Sequence, residues 1–487
     1  MRPLRIRLGH CAVLTALALA GCAEVGPNFT TPHGREGAGY LGRGDRTSST
    51  PRIFAADSPA GAWWSALGSP DLDTTIKLAL DDSPTLSEAD ATLAQARQSL
   101  NAARGARLPQ IDANAGAQRE RINTAAFGFS GFPSPTISLY SIGAAVTYDL
   151  DLFGGQKRRV EAASARLDAQ TRRAEAAYLS LTGNVALEAV QVAGLRAQIG
   201  VIAEVAAEDR RTLSLAETAA RLGGASRTGT IGAQAQLAQD EALLPALNQS
   251  LAQHRHALAL LVGKSPAEFS PPDFDLKAFS EPSEIPVSLP SQLIRRRPDI
   301  LAAEADLHAA TADVGVATAE LYPDIRLSAN LTQSALRPQD IFKFRSTGYA
   351  IGPALSVPLF HGGALRANQR AAAAGIEASW ARYQQTVLKA FTEVADALAA
   401  LANDQDAISA ETRALRVAQS NLEAYRIDYK EGGGTLLQVV DAERTLSIAR
   451  RGLAVARAQQ LSDTIRLYVA TAADWRTPDA RSGPKAP

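Results

Sequence analysis

Few residue sets in this 487-residue chain could do chemistry. Gly37-Ala38-Gly39-Tyr40-Leu41-Gly42 satisfies GxGxxG, the pattern that lets a backbone approach a pyrophosphate at a helix N-terminus, but no strand precedes it and no helix follows. Gly263-Lys264-Ser265 ends like a phosphate-cradling loop, yet the glycine that should open that loop falls on Leu258. His254 and His256 are two apart and so leave a helix from different faces, and no HExxH occurs. Arg295-Arg296-Arg297 before Pro298 fits a helix start or a buried interface better than a nucleic-acid patch. Asp441 and Arg444 are three apart, a spacing that pairs opposite charges on a helix surface for roughly a few tenths of a kcal/mol. None of these sets has the spacing that catalysis, a metal or a nucleotide requires, so the expectation is a non-enzyme without cofactor. With 50 Lys+Arg against 50 Asp+Glu, the chain also lacks the positive field of a non-specific nucleic-acid binder.

The reactive position that remains is a cysteine. Arg2, Arg5 and Arg7 precede an apolar stretch from Ala12 to Ala20, too short for a membrane-spanning helix and typical of a secretory leader. Leu19-Ala20-Gly21-Cys22 resembles the bacterial lipobox, which makes 1–21 a lipoprotein signal peptide and Cys22 a lipidated first residue; Ala23, where an Asp would signal inner-membrane retention, implies sorting to the outer membrane. A covalent lipid on Cys22 leaves no free thiol, since the other cysteine, Cys11, goes with the leader. Residues 22–60, rich in Gly, Pro, Ser and Thr, read as a lipid-anchored tether with little structure of its own. No later stretch holds 18 consecutive apolar residues, so a membrane crossing would have to use β-strands.

The rest of the chain is a repeat. Ser83 to Gly116 aligns without gaps on Arg297 to Asn330, with Pro84 on Pro298, Leu93 on Leu307, Pro109 on Pro323 and Ile111 on Ile325. Leu152-Phe153-Gly154-Gly155 is echoed by Leu359-Phe360-His361-Gly362-Gly363, and Gly223-Gly224 by Gly432-Gly433. The halves span 61–263 and 291–473, with 264–290 as linker and 474–487 as a C-terminal tail. Each reads as a helix, two strands, a very long helix, a glycine turn and a return helix of about 36 to 38 residues. The long helices are expected at about 156–222 and 365–430. Tyr178, Val185, Val192, Ile199, Ala206, Leu213 and Ala220 recur every seven residues in the first, and Val387, Val394, Leu401, Ile408, Leu415, Leu422 and Tyr429 in the second. That period specifies coiled-coil packing.

Strands are expected at about 110–119, 137–150, 324–334 and 348–359. Ile111, Ala113, Ala115 and Ala117 alternate with Asp112, Asn114, Gly116 and Gln118; Tyr349, Ile351, Leu355, Val357 and Leu359 fall on one face of the last strand. Such alternation fits the wall of an outer-membrane barrel, and it also fits a sheet packed on helices by one face. Four strands cannot close a barrel, whose smallest membrane forms use about eight, so several copies would have to share one.

The repeat, Leu293 to Asp299 (LIRRRPD), Tyr148 to Gly154 (YDLDLFG), Phe391 to Asp396 (FTEVAD) and the Leu437 to Leu446 stretch together resemble the outer-membrane efflux lipoproteins of the OprM/NodT type, relatives of TolC. The resemblance covers about residues 60 to 473. It implies an α+β, TolC-like homotrimer with a twelve-stranded β-barrel in the outer membrane, four strands per chain, continued by a periplasmic α-helical coiled-coil barrel. It also implies passive conduction of small solutes or drugs, handed over by an inner-membrane pump of the resistance-nodulation-division type through a periplasmic adaptor that contacts the turns at Gly223, Gly224, Gly432 and Gly433. The family's periplasmic gate falls on Asp441, Arg444, Leu437 and Tyr429. The chain departs from TolC at Gln438, where TolC has a second ring aspartate, and at Gly434, where it has an arginine. Leu437 and Tyr429 also fit plain packing, Tyr429 because it continues the heptad seam. Two other readings stand beside the efflux duct: the same architecture as a type I protein-secretion duct, or a periplasmic coiled-coil scaffold without a pore.

Overall fold

The computed structural model describes residues 24–32, 39–42, 44–46, 52–55, 62–128, 131, 133–223, 226–282, 284–287 and 290–472. The leader 1–21, Cys22, Gly224 and the tail 474–487 lie outside the described residues. In chain order the elements are β1 (Arg52–Ala55), α1 (Pro70–Asp82), α2 (Pro84–Gly105), β2 (Gln110–Arg121), β3 (Thr136–Asp149), α3 (Gly155–Arg221), α4 (Arg227–Glu241), α5 (Leu244–Val262), β4 (Glu284–Val287), α6 (Pro290–Ile294), α7 (Pro298–Ala319), β5 (Asp324–Ala335), β6 (Thr347–Ser356), α8 (Ala364–Lys430) and α9 (Leu436–Ala470), with short 3-10 turns between some of them. They fall into two compact units, the first drawn from residues 1–32, 92–171 and 302–383 and the second from 33–91, 172–301 and 384–487.

The first unit holds an antiparallel sheet of spatial order β2-β3-β5-β6. Its registers put the apolar positions of all four strands on one face: Ile111 opposite Val146, Ala144 opposite Leu331, Tyr148 opposite Leu327, and Leu327, Ala329 and Leu331 opposite Pro353, Ile351 and Tyr349. Directly paired residues point the same way, so a period of two along each strand becomes a continuous apolar surface across the sheet. That surface is bare in the chain, with Ile111 73% and Ile351 80% exposed. Asp112, Asn114, Ser328, Asn330 and Thr332 occupy the opposite face by the same alternation. Among the described residues, β2 and β6 each have a strand partner on one side only. The last strand stops at Ser356 rather than near 359, because Pro358 has no N–H to continue a ladder.

The second unit is helical. Every expected seam residue within it is buried or half-buried, Val185, Val192, Val394 and Leu401 completely so. One 18-residue window of α3 reaches a mean hydropathy of 1.4, and half of it is buried inside the protein. In the second half the return helix α9 is unbroken over 35 residues. Its counterpart in the first half divides into α4 and α5: Pro245 lacks the N–H owed to Glu241 and its ring crowds that carbonyl, so a single helix of 36 to 38 residues cannot form there. The additional helix α1 is started by Ser69, whose hydroxyl accepts from Leu72 N, and Pro70 at its first position. It buries Leu72, Ile76 and Ala79. Within the inter-repeat linker β4 pairs in parallel with β1, Arg52 opposite Glu284 through Ala55 opposite Val287.

Candidate functional site

The second helical hairpin carries the expected gate segment. Asp428 C=O, in the last turn of α8, accepts from both Gly433 N (2.9 Å) and Gly434 N (3.1 Å), while Gly432 takes φ +82°, a left-handed value that favours glycine. The chain then re-enters a helix at once. Thr435 Oγ1 accepts from Gln438 N, and Gln438 Oε1 accepts from Thr435 N at 2.7 Å, a reciprocal capping box. Gln438, one of the departures from TolC, therefore starts α9. In the first hairpin, Gly223 turns at φ +80° and the Ser226 hydroxyl accepts from Gly229 N to start α4.

Leu437, Asp441 and Arg444 lie in the first three turns of α9, all exposed. Among the described residues Asp441 and Arg444 form no ion pair with each other; the Asp441 carbonyl accepts from Thr445 Oγ1 at 2.9 Å. The Leu437 side chain sits over Gly232 of α4, at ordinary contact distance from where a Cβ would stand. Tyr429 packs with Leu415 and Tyr425 on a core of Ala418, Leu422, Val439, Ala442, Leu446 and Ala449. The structure thus brings Leu437, Asp441 and Arg444 onto one helix end and gives Tyr429 a packing role between α8 and α9.

Behind this exposed face lies a buried polar cluster. Glu443, between Asp441 and Arg444 in sequence, is 6% exposed; its carboxylate accepts from Thr212 Oγ1 of α3 and pairs with Arg426 of α8 at 2.9 Å. Arg426 also reaches Glu208 of α3 at 3.6 Å. One turn from these, Asp209 of α3 meets Asp240 of α4, carboxyl to carboxyl, and both are buried. Burial first, then the hydrogen bond and charge of Asp240 and the charge of Glu443, push the Asp209 carboxyl up to about 7, against a smaller pull downward from Arg210. A second such pair joins α8 to α9: Asp404, likewise pushed up to about 7 by burial and by Asp463, faces an Asp463 that accepts from Arg466 Nη1 (2.6 Å) and Gln459 Nε2 (2.8 Å). Sequence reading missed both. The signal was available, because Asp209 falls three residues after Ala206 and Asp404 three after Leu401, the positions that complete the apolar seam of a heptad.

Two further arrangements fix the repeat in place. Arg297, the last arginine of LIRRRPD, is 8% exposed and clamps Asp299 (2.7 Å), Glu393 (2.8 Å) and the Ala470 carbonyl (3.1 Å), tying the start of α7 to α8 and the end of α9. In the first unit Asp151, in YDLDLFG, takes φ 47° and accepts from Gln156 N and Lys157 N, so the motif is an acidic cap on α3.

The stretch expected to be a bare tether makes specific contacts. Arg158, 2% exposed, donates to the Val25 carbonyl (3.3 Å) and to Asn28 Oδ1 (2.7 Å), and pairs with Glu24 and Glu161. Gly26 has φ +92° and lies so close to Gly315 that a Cβ would stand 2.5 Å from its Cα. Phe29 stacks on His308, which hydrogen-bonds Glu161 at 2.9 Å; Arg158 and His308 overcome the burial that opposes its charge and hold the Glu161 carboxyl below the usual range. In the second unit Tyr40 packs edge-on against Phe391, and β1 joins β4. Composition alone misjudged the segment, because its ordering comes from side chains and glycines far away in sequence. Cys22, two residues before Glu24, lies outside the described residues.

The chain matches the family described as "Outer membrane efflux protein" over residues 75–264 and 289–473. It is 30% identical over 419 residues to the pyoverdine export outer membrane protein OpmQ of Pseudomonas aeruginosa, covering 85% of this chain and 88% of that one. It is 27% identical to nodulation protein T of Rhizobium leguminosarum bv. viciae, covering 97% and 94% respectively. The solved structure of the outer-membrane channel OprN superposes with a TM-score of 0.82 at 28% identity, over 93% of this chain and 99% of that one.

Proposed function

The chain belongs to the outer membrane efflux protein family, and from that premise we propose that it is the outer-membrane exit duct of a tripartite efflux system, conducting small solutes passively from an inner-membrane transporter and a periplasmic adaptor to the exterior. The family is one of transporters rather than enzymes, and its place is the outer membrane. The observation that carries the reading is the two-faced sheet. A bare apolar face on one side, polar side chains on the other and two unsatisfied edges make a stable surface only with lipid against the first face, an aqueous lumen against the second and further strands at the edges. Three copies in a ring would supply twelve strands and satisfy every edge. A scaffold without a pore has no use for such a sheet. Cys22 would carry the lipid; the turns at Gly223, Gly224, Gly432 and Gly433 would meet the adaptor; the pump would be of the resistance-nodulation-division type and would select the solute.

The gate is assigned to Asp441, Arg444 and Leu437, which stand exposed on one helix end as an axial constriction requires, with Tyr429 holding that end to α8. A ring of Asp441 carboxylates on the symmetry axis would favour cations. The test is ion conductance of the detergent-extracted protein in a planar bilayer. Small, mostly closed wild-type currents that rise at least several-fold in Asp441→Ala or Arg444→Ala are expected. Inserted protein that conducts in none of the three forms would sink the duct, and equal conductance in all three would move the gate elsewhere.

A further inference from the structure

Asp209 and Asp240 are 3% and 7% exposed and face each other between α3 and α4. Asp209 Oδ2 is buried with no hydrogen-bond donor among the described residues, while Asp240 Oδ2 accepts from Gln236 Nε2 at 2.6 Å. Two buried carboxylates that face each other repel unless a proton or a cation lies between them. The described residues hold no group of three or more His, Cys, Asp or Glu that could hold a metal ion, and a single shared proton relieves the repulsion with the two carboxyls alone. The charged groups around the pair are accounted for on every neighbouring helix. On α3, Arg210 is drawn to Glu241 of α4 (2.5 Å) and Glu208 reaches Arg426; on α8, Arg426 is shared between Glu208 and Glu443; on α9, Glu443 adds negative charge to the pair. Among the described residues, Arg210 is paired with Glu241 and Arg426 with Glu208 and Glu443, so a second negative charge on Asp209 and Asp240 would be poorly neutralised.

Glu443 connects this site to the gate segment. It is next to Arg444 and two residues from Asp441, on the buried side of the same turn, and Thr212 and Arg426 hold it against α3 and α8. We propose that the Asp209–Asp240 carboxyl pair is a proton-operated latch, which fastens α4 and the first turns of α9 to α3 while one proton is shared and loosens them when both groups ionise. The latch's effect on conduction rests on the gate reading above; its effect on the helices does not. Because the folded Asp209 carboxyl titrates above its unfolded value, the fastening is complete below about pH 4 and is lost as the pH rises through about 7.

The experiment uses the full-length, detergent-extracted protein at pH 5.5 and 8.5, with amide hydrogen exchange corrected for its intrinsic pH dependence. Segments 233–241 and 439–446 of the wild type should lose protection by up to about thirtyfold at the higher pH, the equivalent of the roughly 1.5 pH units between 5.5 and the folded carboxyl's value of about 7. Asp240→Asn and, separately, Asp209→Asn place an amide donor where the proton was, and each should abolish that loss. Asp404→Asn, at the other carboxyl pair, should leave it intact. No loss in the wild type, or the same loss in both Asn variants, overturns the latch. Bilayer conductance on the same samples should rise with pH in the wild type and stay flat in Asp240→Asn. If the exchange responds but conductance responds neither to pH nor to Asp441→Ala, the gate assignment fails and the latch stands. If Asp441→Ala raises conductance and pH does not, the coupling of latch to gate is overturned.

Discussion

Arg297 shows how much of this protein hangs on single buried side chains. Its guanidinium is almost wholly buried among two carboxylates and a helix-terminal carbonyl, a geometry only a planar five-donor head satisfies. Arg297→Met keeps the stem and removes the fork, taking the donor from the Ala470 carbonyl and leaving Glu393 its looser pairing with Lys389 at 3.8 Å. Since Glu393 and Asp299 retain partial access to water, the expected cost is in the range of about 2 to 3 kcal/mol. The check is the midpoint of helical unfolding in denaturant, and an unchanged midpoint would mean the clamp is incidental. Gly26 is the counterpart in the first unit. Any side chain there must take a left-handed backbone and displace Gly315. Gly26→Ala should free residues 24–29 from Arg158, seen as rapid protease cleavage near the N-terminus with the sheet intact.

Between elements, the same long-helix, turn and return-helix plan is built twice and finished differently. Pro245 divides the first return helix, while the second runs unbroken from a capping box. Thr435→Ala removes the hydroxyl that caps α9 and should cost about 1 kcal/mol of local stability, read as faster amide exchange over 436–440. Each long helix also meets its return helix through one carboxyl pair. For Asp404 and Asp463 the sign follows from the upward shift: neutral Asp404 is tolerated in the folded protein, its anion is not. This pair's contribution to stability is therefore fully present below about pH 4 and is lost as the pH rises through about 7. Asp404→Asn should flatten that decline, so the variant's thermal midpoint should exceed the wild type's at pH 8 and match it at pH 4. A wild-type midpoint indifferent to pH over this window would refute the shared proton.

For the whole molecule the sheet decides the environment. Ile351 lies in the apolar row of the edge strand β6, opposite Ala329, and Ser328 lies one residue away on the polar face. Arginine on a lipid-facing position near the membrane midplane costs about 2 to 4 kcal/mol, whereas a lumen position tolerates it. Ile351→Arg should reduce the fraction of protein recovered as an assembled outer-membrane species, and Ser328→Arg should assemble normally while lowering cation conductance. Equal assembly of both variants would contradict the two-faced wall.

The repeat, the heptad seams, the four alternating strands and the glycine turns were all legible in the sequence, because each is a local periodicity that backbone geometry converts directly into one face of a helix or strand. The long helices were placed to within a residue at each end, and the strands to within about three. The charged seam positions Asp209 and Asp404 were also visible, but not what they meet, since Asp240 and Asp463 lie 31 and 59 residues further on. Only the tertiary structure brought those carboxyls together, buried Glu443 behind the expected gate segment, left Asp441 and Arg444 without an ion pair to each other and turned Gln438 into a cap. It also ordered residues 24–32 against Arg158 and Gly315, where composition promised a tether. A buried polar contact depends on which helices pack and at what height, and that is settled by the sum of weak seam contacts over the whole hairpin rather than by any pattern within one segment.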